Sequence, residues 1–178
     1  EGTIDLDDLK LSIKKGTSHE PSTKLLSLEN TFCGIIQPIE KIRGLSNLAR
    51  THNLSTHLDG ARLANAVVKT GNSFSSYGML FDTISVCLSK GLGAPIGSVL
   101  AGAPDFIERA RRLRKQIGGG MRQSGILAAA GIFALEHNLQ RLSNDHENAF
   151  FLAEKLSQYS SFQVPMNIIH TNIVFADI

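Results

Sequence analysis

The stretch DTISVCLSK (residues 82–90), followed by GLGAPIG (residues 91–97), decides the fold. A short run that is rich in β-branched residues and bounded by glycines is typical of a buried strand. An ammonium at the exit of such a strand is costly unless it is paired or has reacted, so Lys90 is a candidate functional residue. The plainer interpretation is a lysine at a strand end that extends its ammonium into solvent.

A second short apolar run, LSTHL (residues 54–58), is followed by DGAR (residues 59–62). In open α/β sheets, ligands bind beyond the carboxyl ends of the strands. Two strands that end near Asp59 and Lys90 would therefore direct a carboxylate and an amine into one crevice. Asp59 could instead serve only as the N-cap of the helix that follows it.

An acid and a lysine in one crevice favour a particular cofactor chemistry. A desolvated lysine loses its proton readily and becomes a Schiff-base nucleophile. Pyridoxal phosphate (PLP) requires such a lysine, together with an acidic partner for its ring nitrogen. We therefore expect Lys90 to bind PLP, Asp59 to hold the ring nitrogen protonated and Arg62 to pair with the phenolic oxygen.

The composition limits the other classes of function. The 178 residues are 42% hydrophobic, which suffices for one domain, or for one domain and part of another. The apolar stretches are too short for a membrane span, and no signal-peptide pattern opens the chain. Two cysteines form no disulfide framework, and no His/Cys/Asp spacing suggests a metal site. We expect a cytoplasmic protein with no membrane partner and no metal.

Basic residues cluster in RARRLRK (residues 109–115), on a predicted helix. Such a cluster could bind nucleic acid, form a solvated helix face or bind an anionic cofactor. Because no aromatic residues interleave it and the net charge is only +2, we expect no nucleic-acid partner. The adjacent GGGMRQ (residues 118–123) could be a flexible linker or an anion site at a helix N-terminus, and Arg122 favours phosphate.

Strands and helices alternate in the predicted element order. The predicted strands cover residues 24–29, 54–58, 82–89, 97–101 and 172–177. The predicted helices cover residues 4–14 (capped by Thr3), 39–51, 61–69, 104–115, 123–136 (closely packed and buried) and 139–158. This order predicts an α/β fold with a mostly parallel sheet flanked by helices.

Four strings carry a family resemblance: LENT (28–31), HLDGAR (57–62), SVCLSKGLGAPIG (85–97) and RKQIGGGMRQSG (114–125). They resemble low-specificity L-threonine aldolases, which belong to the PLP-dependent fold type I (aspartate aminotransferase-like) superfamily. The resemblance runs essentially end to end. It implies cleavage of L-threonine or L-allo-threonine to glycine and acetaldehyde, a reaction of threonine catabolism and glycine biosynthesis. It also implies a homo-oligomer, which in this family is a tetramer.

The resemblance also implies roles for individual residues. Lys90 would link to PLP, Asp59 would pair with the pyridine nitrogen and Arg62 would contact the phenolic oxygen. His19, by position alone a surface loop histidine, matches the histidine that touches the substrate hydroxyl and can remove its proton. Lys115 and Arg122 match basic residues near the cofactor phosphate, reached partly across a subunit interface.

The chain departs from the family at Phe32 and Cys33, where members commonly have a histidine, and this bears on substrate preference. Members also carry an upstream phosphate loop, a histidine that stacks on the ring and a downstream arginine for the substrate carboxylate. None of these is in the 178 residues. We therefore expect residues 1–138 to be the C-terminal part of a large PLP-binding domain, and residues 139–178 to be a linking helix and the start of a smaller C-terminal α/β domain.

Two alternatives stay open from the sequence. One is another PLP-dependent enzyme, either a β-eliminating lyase or a retro-aldol enzyme for a different β-hydroxy amino acid. The other is a non-catalytic fragment of such an enzyme that acts through its oligomer surface. Product analysis separates the two enzymes, because β-elimination gives ammonia and a keto acid, whereas retro-aldol cleavage gives glycine and an aldehyde.

Overall fold

The computed structural model describes residues 3–178, which fold as an α/β protein. Its strands are β1 (Leu25–Glu29), β2 (Ser55–Gly60), β3 (Thr83–Cys87) and β4 (Ser98–Gly102). Its α-helices are α1 (Leu6–Ser12), α2 (Ile39–Thr51), α3 (Leu63–Thr70), α4 (Phe74–Gly78), α5 (Pro104–Gln116), α6 (Gly125–His137) and α7 (Leu142–Leu156). A single 3₁₀ turn, Met166–Ile168, follows α7.

The four strands form one sheet in the order β1-β2-β3-β4. The first three strands are parallel, and β4 returns antiparallel to β3. The register places Asp59 of β2 opposite Glu29 of β1 and Ser85 of β3. The carboxyl ends of β1, β2 and β3 therefore lie at the same edge of the sheet, as predicted for an α/β fold.

The main core lies between one face of the sheet and the helices that connect its strands. Pro38 precedes α2, and apolar residues spaced three or four apart turn one face of that helix inward. Buried members of this core include Leu28, Ile42, Leu58, Tyr77 and Ile84. This packing fixes β1 and β2 against α2 and so sets where both strands end.

A second, smaller core forms around the segment that follows β3. Leu88 and Leu92 are buried there, and the cluster contains Ala64 of α3, Ala134 of α6 and Leu142 of α7. Leu88 is 9% exposed and Leu92 is 2% exposed. Lys90 lies between these two leucines in the chain, so the smaller core anchors the chain on both sides of Lys90.

The C-terminal segment returns to the residues after β1. Phe32 and Ile35 exchange backbone hydrogen bonds of 2.9 and 2.8 Å and form a tight hairpin. Thr171 Oγ1 donates to the Gly34 carbonyl at 2.6 Å, and the Ile36 N–H donates to His170 Nδ1 at 3.2 Å. The far end of the chain thus holds the hairpin that follows β1.

Most predicted elements are confirmed, with α2 found at the predicted residues 39–51. The cap of α1 differs, because the Asp5 side chain, not Thr3, accepts from the Asp7 N–H at 2.8 Å. The helix α4 was not predicted; Ser73 caps it by accepting from the Ser76 N–H.

Two predictions of the sequence analysis are wrong. Helix α6 forms but is not buried, since only Gly131 and Ala134 are buried while Ile126 is 82% exposed. Residues 172–177 form no strand; in the described chain they contribute a single bridge between Gln163 and Asp177. Small residues permit close packing without requiring it, and an apolar run becomes a strand only where a partner edge is available.

Candidate cofactor and active site

The candidate site lies where the three parallel strands end. Asp59 is the penultimate residue of β2, and Lys90 follows the end of β3 after two residues. The turn after β2 leads directly through Arg62 into α3. The structure thus brings three predicted residues to one edge of the sheet, as the positions of the strand ends required.

Backbone contacts hold Asp59 in place. Its carbonyl accepts from the Asn30 N–H at 3.0 Å, which extends the β1–β2 pairing by one residue. Its side-chain Oδ1 accepts from the Ala61 N–H at 3.0 Å, and the carboxylate is exposed. The predicted N-cap role differs in detail, because the residue at the N-cap of α3 is Arg62. Asp59 keeps acceptor capacity for a further donor.

Arg62 is half-buried at the start of α3. Its Nε is buried and has no hydrogen-bond partner among the described residues. A buried guanidinium donor without a partner costs free energy, and structures retain such groups at functional positions. Arg62 therefore has a donor ready for an anionic or phenolic oxygen.

Lys90 is exposed, which corrects the expectation of a desolvated ammonium. Within β3 only Ile84 is buried, because in the described chain the helices of the main core cover one face of the sheet. The nearby chain is nevertheless well fixed. The Gly93 N–H donates to the Lys90 carbonyl at 2.8 Å, and the Ala94 N–H donates to the Leu88 carbonyl at 3.0 Å.

Lys115 and Arg122 lie further along the chain, on the segment that leaves β4 through α5. Both are exposed, and neither takes part in an ion pair within residues 3–178. The glycine turn at residues 118–120 packs closely on Lys115, since a Cβ added at Gly120 would lie 2.7 Å from Lys115 Cδ. The structure gives no contact that joins either residue to Asp59 or Lys90.

His19 lies in an exposed loop on the amino-terminal side of β1, six residues before that strand. Its N–H donates to Thr17 Oγ1 at 3.2 Å. Asp59, Arg62 and Lys90 lie at the carboxyl ends of strands, and no hydrogen bond or ion pair within residues 3–178 joins His19 to them. Its catalytic role stays a prediction.

Two buried polar residues at the same edge were not assigned a role from the sequence. Asn30 is 0% exposed and Thr31 is 1% exposed. Asn30 Oδ1 accepts from the Gln37 N–H at 3.1 Å, while Asn30 Nδ2 and Thr31 Oγ1 have no partner among the described residues. The sequence offered one signal for them, since Asn30 and Thr31 are polar residues directly after an apolar strand. That strand, β1, pairs with β2, which carries Asp59.

Neither a membrane-spanning helix nor a cluster of metal ligands is found among the described residues. No helix there is both long and apolar enough to cross a membrane. No group of three or more His, Cys, Asp or Glu side chains in residues 3–178 could hold a metal ion.

Known proteins match this chain closely. The low specificity L-threonine aldolase of Escherichia coli (strain K12) is 50% identical over 158 residues, 89% of this chain and 47% of that protein. Low-specificity L-threonine aldolase 1 of Arabidopsis thaliana is 42% identical over 182 residues, 99% of this chain and 51% of that protein. These matches confirm the resemblance, and the chain spans about half the length of the curated relatives it matches.

A solved structure of Leishmania major threonine aldolase has the same fold, with a TM-score of 0.76 at 21% identity over 92% of this chain and 49% of that one. The fold predicted from the sequence is thereby confirmed. The sequence model of the beta-eliminating lyase family matches every residue from 1 to 178. The chain belongs to the beta-eliminating lyase family.

Proposed function

We propose that this protein is a PLP-dependent aldolase that cleaves L-threonine or L-allo-threonine to glycine and acetaldehyde. The observation that carries the proposal is the shared sheet edge of Asp59, Arg62 and the Lys90 turn. The two named aldolases support the reaction, being 42% and 50% identical to this chain. A carbon–carbon lyase also fits the family to which the chain belongs.

The residues present fit PLP. Asp59 offers an exposed carboxylate for a protonated pyridine nitrogen. Arg62 Nε is a buried donor without a partner, suited to the phenolic oxygen. Lys90 offers an exposed amine on an anchored turn. A bound oxygen acceptor would remove the cost of the unpaired Arg62 donor, so the site gains from the ligand it is proposed to bind.

The chemistry divides between the cofactor and the protein. PLP, when bound, withdraws the electrons of the bond that breaks at the substrate Cα. Asp59 would hold the proton on the ring nitrogen, and Lys90 would hold the cofactor through its amine. His19, directly or through water, accepts the β-hydroxyl proton. Lys115 and Arg122 neutralise the phosphate, partly from a neighbouring subunit.

The assembly and location form part of the same proposal. We propose a cytoplasmic homo-oligomer, a tetramer by resemblance, that acts in threonine catabolism and glycine biosynthesis. The chain exposes 11410 Å², whereas a compact monomer of 19.3 kDa exposes about 8,500 Å². Exposed apolar side chains on α6, such as Ile126 and Phe133, supply part of the surface that partners would cover. Two free cysteines fit a reducing compartment.

We also propose that residues 1–138 complete the large domain and that residues 139–178 lead into a smaller one. Asn65 of α3 and His146 of α7 lie 3.1 Å apart through their side-chain nitrogens. This contact fixes α7 on the large domain, as a linking helix requires.

One other reaction has a specific observation in its favour. The matched family is named for β-elimination, and the chain has Phe32 and Cys33 where the aldolases commonly have a histidine. Product analysis with L-allo-threonine decides between the reactions. Glycine and acetaldehyde support the aldolase, and ammonia with a keto acid supports the lyase. Binding of PLP without either product supports the non-catalytic alternative.

The cofactor assignment is tested by the visible absorbance of the purified protein mixed with PLP. We expect an absorption band that the Lys90→Ala variant lacks. Borohydride reduction should then fix a pyridoxyl group on the peptide that contains Lys90. Lys69, which is also exposed but lies at the end of α3, provides the control variant Lys69→Ala and should keep the band. An equal band in both variants would contradict the role of Lys90.

A further inference from the structure

The turn that carries Lys90 is held from outside the sheet. The Lys90 carbonyl accepts from the Gly93 N–H at 2.8 Å, and Gly93 has the left-handed φ of 77° that this tight turn needs. The buried side chain of Leu92 lies within the turn. The geometry of these four residues therefore decides where the backbone of Lys90 lies.

Asn138 makes a side-chain hydrogen bond to this turn. Its Nδ2 donates to the Leu92 carbonyl at 2.8 Å, across 46 positions of sequence. A Cβ added at Gly93 would lie 3.5 Å from the same Nδ2, which places the amide directly against the turn. Asn138 is the C-cap residue of α6, and its own N–H donates to the Ala134 carbonyl at 3.0 Å. The amide is thus fixed on the helix while its side chain reaches the turn.

The start of α7 closes on the other side of the turn. A Cβ added at Gly91 would lie 2.6 Å from Leu142 Cδ2 and 3.1 Å from Asp145 Oδ2. Helix α7 therefore packs directly on the residue after Lys90, at van der Waals distance. The corner between α6 and α7 (residues 138–142) thus holds the turn in two ways. Asn138 donates a hydrogen bond to Leu92, and Leu142 packs against Gly91.

We propose that Asn138 is the positioning residue for Lys90, fixing the Lys90–Gly93 turn to the corner between α6 and α7. The inference rests on the proposed function, since it gives Asn138 its purpose through the cofactor lysine. The Leu92 carbonyl is partly buried in the smaller core, so loss of its donor leaves an acceptor without a partner. The turn then samples other arrangements, and Lys90 meets the cofactor less often in the correct geometry.

The test compares Asn138→Asp with Asn144→Asp. Asp has the shape of Asn but presents an oxygen to the Leu92 carbonyl and cannot donate. Asn144 is exposed on α7, so its variant adds the same charge without touching the turn. We expect Asn138→Asp to speed amide hydrogen exchange at Gly93 about tenfold and to weaken PLP binding about tenfold, while Asn144→Asp resembles the wild type. Should Asn138→Asp fail to fold, Asn138→Ser provides the comparison without added charge.

Each result decides the inference. Faster exchange at Gly93 together with weaker PLP binding, confined to the Asn138 variant, supports it. Unchanged exchange at Gly93, equal effects in both variants, or faster exchange with unchanged PLP binding overturns it. Failure of the proposed function is separate: Lys90 of the wild type would then take no pyridoxyl group on borohydride reduction. That result overturns the cofactor part of the inference too, while exchange at Gly93 still decides whether Asn138 holds the turn.

Discussion

Arg62 is half-buried, and its Nε donor has no hydrogen-bond partner among the described residues. In a protein without ligand this donor is a net cost. An arginine in that state is explained most simply by an acceptor that arrives with the cofactor. The sequence motif of Asp59 and Arg62 was enough to predict this, because both residues belong to one strand-to-helix turn.

The Arg62→Met variant tests this explanation. Methionine retains an apolar side chain of similar reach but removes every donor. We expect the free energy of unfolding without PLP to stay equal or rise, and PLP binding to weaken at least about tenfold. Urea unfolding and PLP titration measure the two quantities. Arg109→Met, which removes an exposed ion pair to Asp105 on α5, should leave PLP binding unchanged. A large loss of stability in Arg62→Met would mean that the guanidinium is structural.

Asn138 marks the limit of prediction at the residue scale. Lys90, Asp59 and Arg62 are predicted from the sequence because each lies at or just after the end of a short strand. The contact of Asn138 with Leu92 joins positions 46 residues apart, and no local pattern indicates it. Lys115 and Arg122 were predicted from charge and resemblance. No contact among the described residues joins them to Asp59 or Lys90, so their place in the site rests on the predicted subunit interface.

Among the elements, the hairpin after β1 has an unfavourable backbone conformation at its centre. Its two central residues, Cys33 and Gly34, have φ values of 49° and 83°. A two-residue hairpin with both central φ values positive is typical of Asn followed by Gly, and a cysteine in the first place is strained. Replacement of Gly34 is unfavourable, since an added Cβ would lie 2.8 Å from Ile173 Cβ.

We therefore expect Cys33→Asn to stabilise the protein by about 1 kcal/mol, because asparagine tolerates the left-handed region better than cysteine. Cys33 is exposed, so the change removes no core packing. The free energy of unfolding in urea measures the gain. Gly34→Ala is the opposing variant and should destabilise the same hairpin. A Cys33→Asn protein less stable than the wild type would show that the thiol makes a contact of its own.

The elements also show where pattern reading succeeds. Helix α2 was predicted to the residue, because Pro38 fixes its start and a regular apolar stripe faces the sheet. Helix α6 was predicted buried from its small residues, yet most of it is exposed. The composition of a helix does not determine its burial, because burial depends on which neighbouring elements pack against it. For the same reason the apolar run at residues 172–177 forms no strand, because it pairs with no strand edge among the described residues.

For the molecule as a whole, His146 of α7 links that helix to α3. It is buried, and its Nε2 lies 3.1 Å from Asn65 Nδ2. An amide nitrogen can only donate, so this contact requires an imidazole nitrogen without a proton. Burial lowers the pKa of His146, with a further lowering from Lys69 and an opposing effect from Asp145.

A lowered pKa in the folded state means that the unfolded chain takes up the proton first as the pH falls. The stability is therefore complete above about pH 6.5, the ordinary value for histidine, and declines as the pH drops below it. We expect the urea midpoint to fall between about pH 7 and about pH 5, and the fall to be smaller in His146→Gln. His52→Gln, at an exposed histidine, should keep the wild-type slope. Equal slopes in all three proteins would contradict the assignment.

The return of the C-terminal segment to the hairpin has a practical consequence for protein engineering. Thr171 and His170 hold Gly34 and Ile36, and the Gln37 N–H next to them donates to Asn30, which in turn meets the Asp59 carbonyl. A fluorescent label, affinity tag or cleavage site inserted near residues 170–173 would therefore disturb the sheet edge proposed to bind the cofactor, although these residues are far from that edge in sequence. The exposed Gly71, which follows the far end of α3 and has open space around it, is the better place for such an insertion.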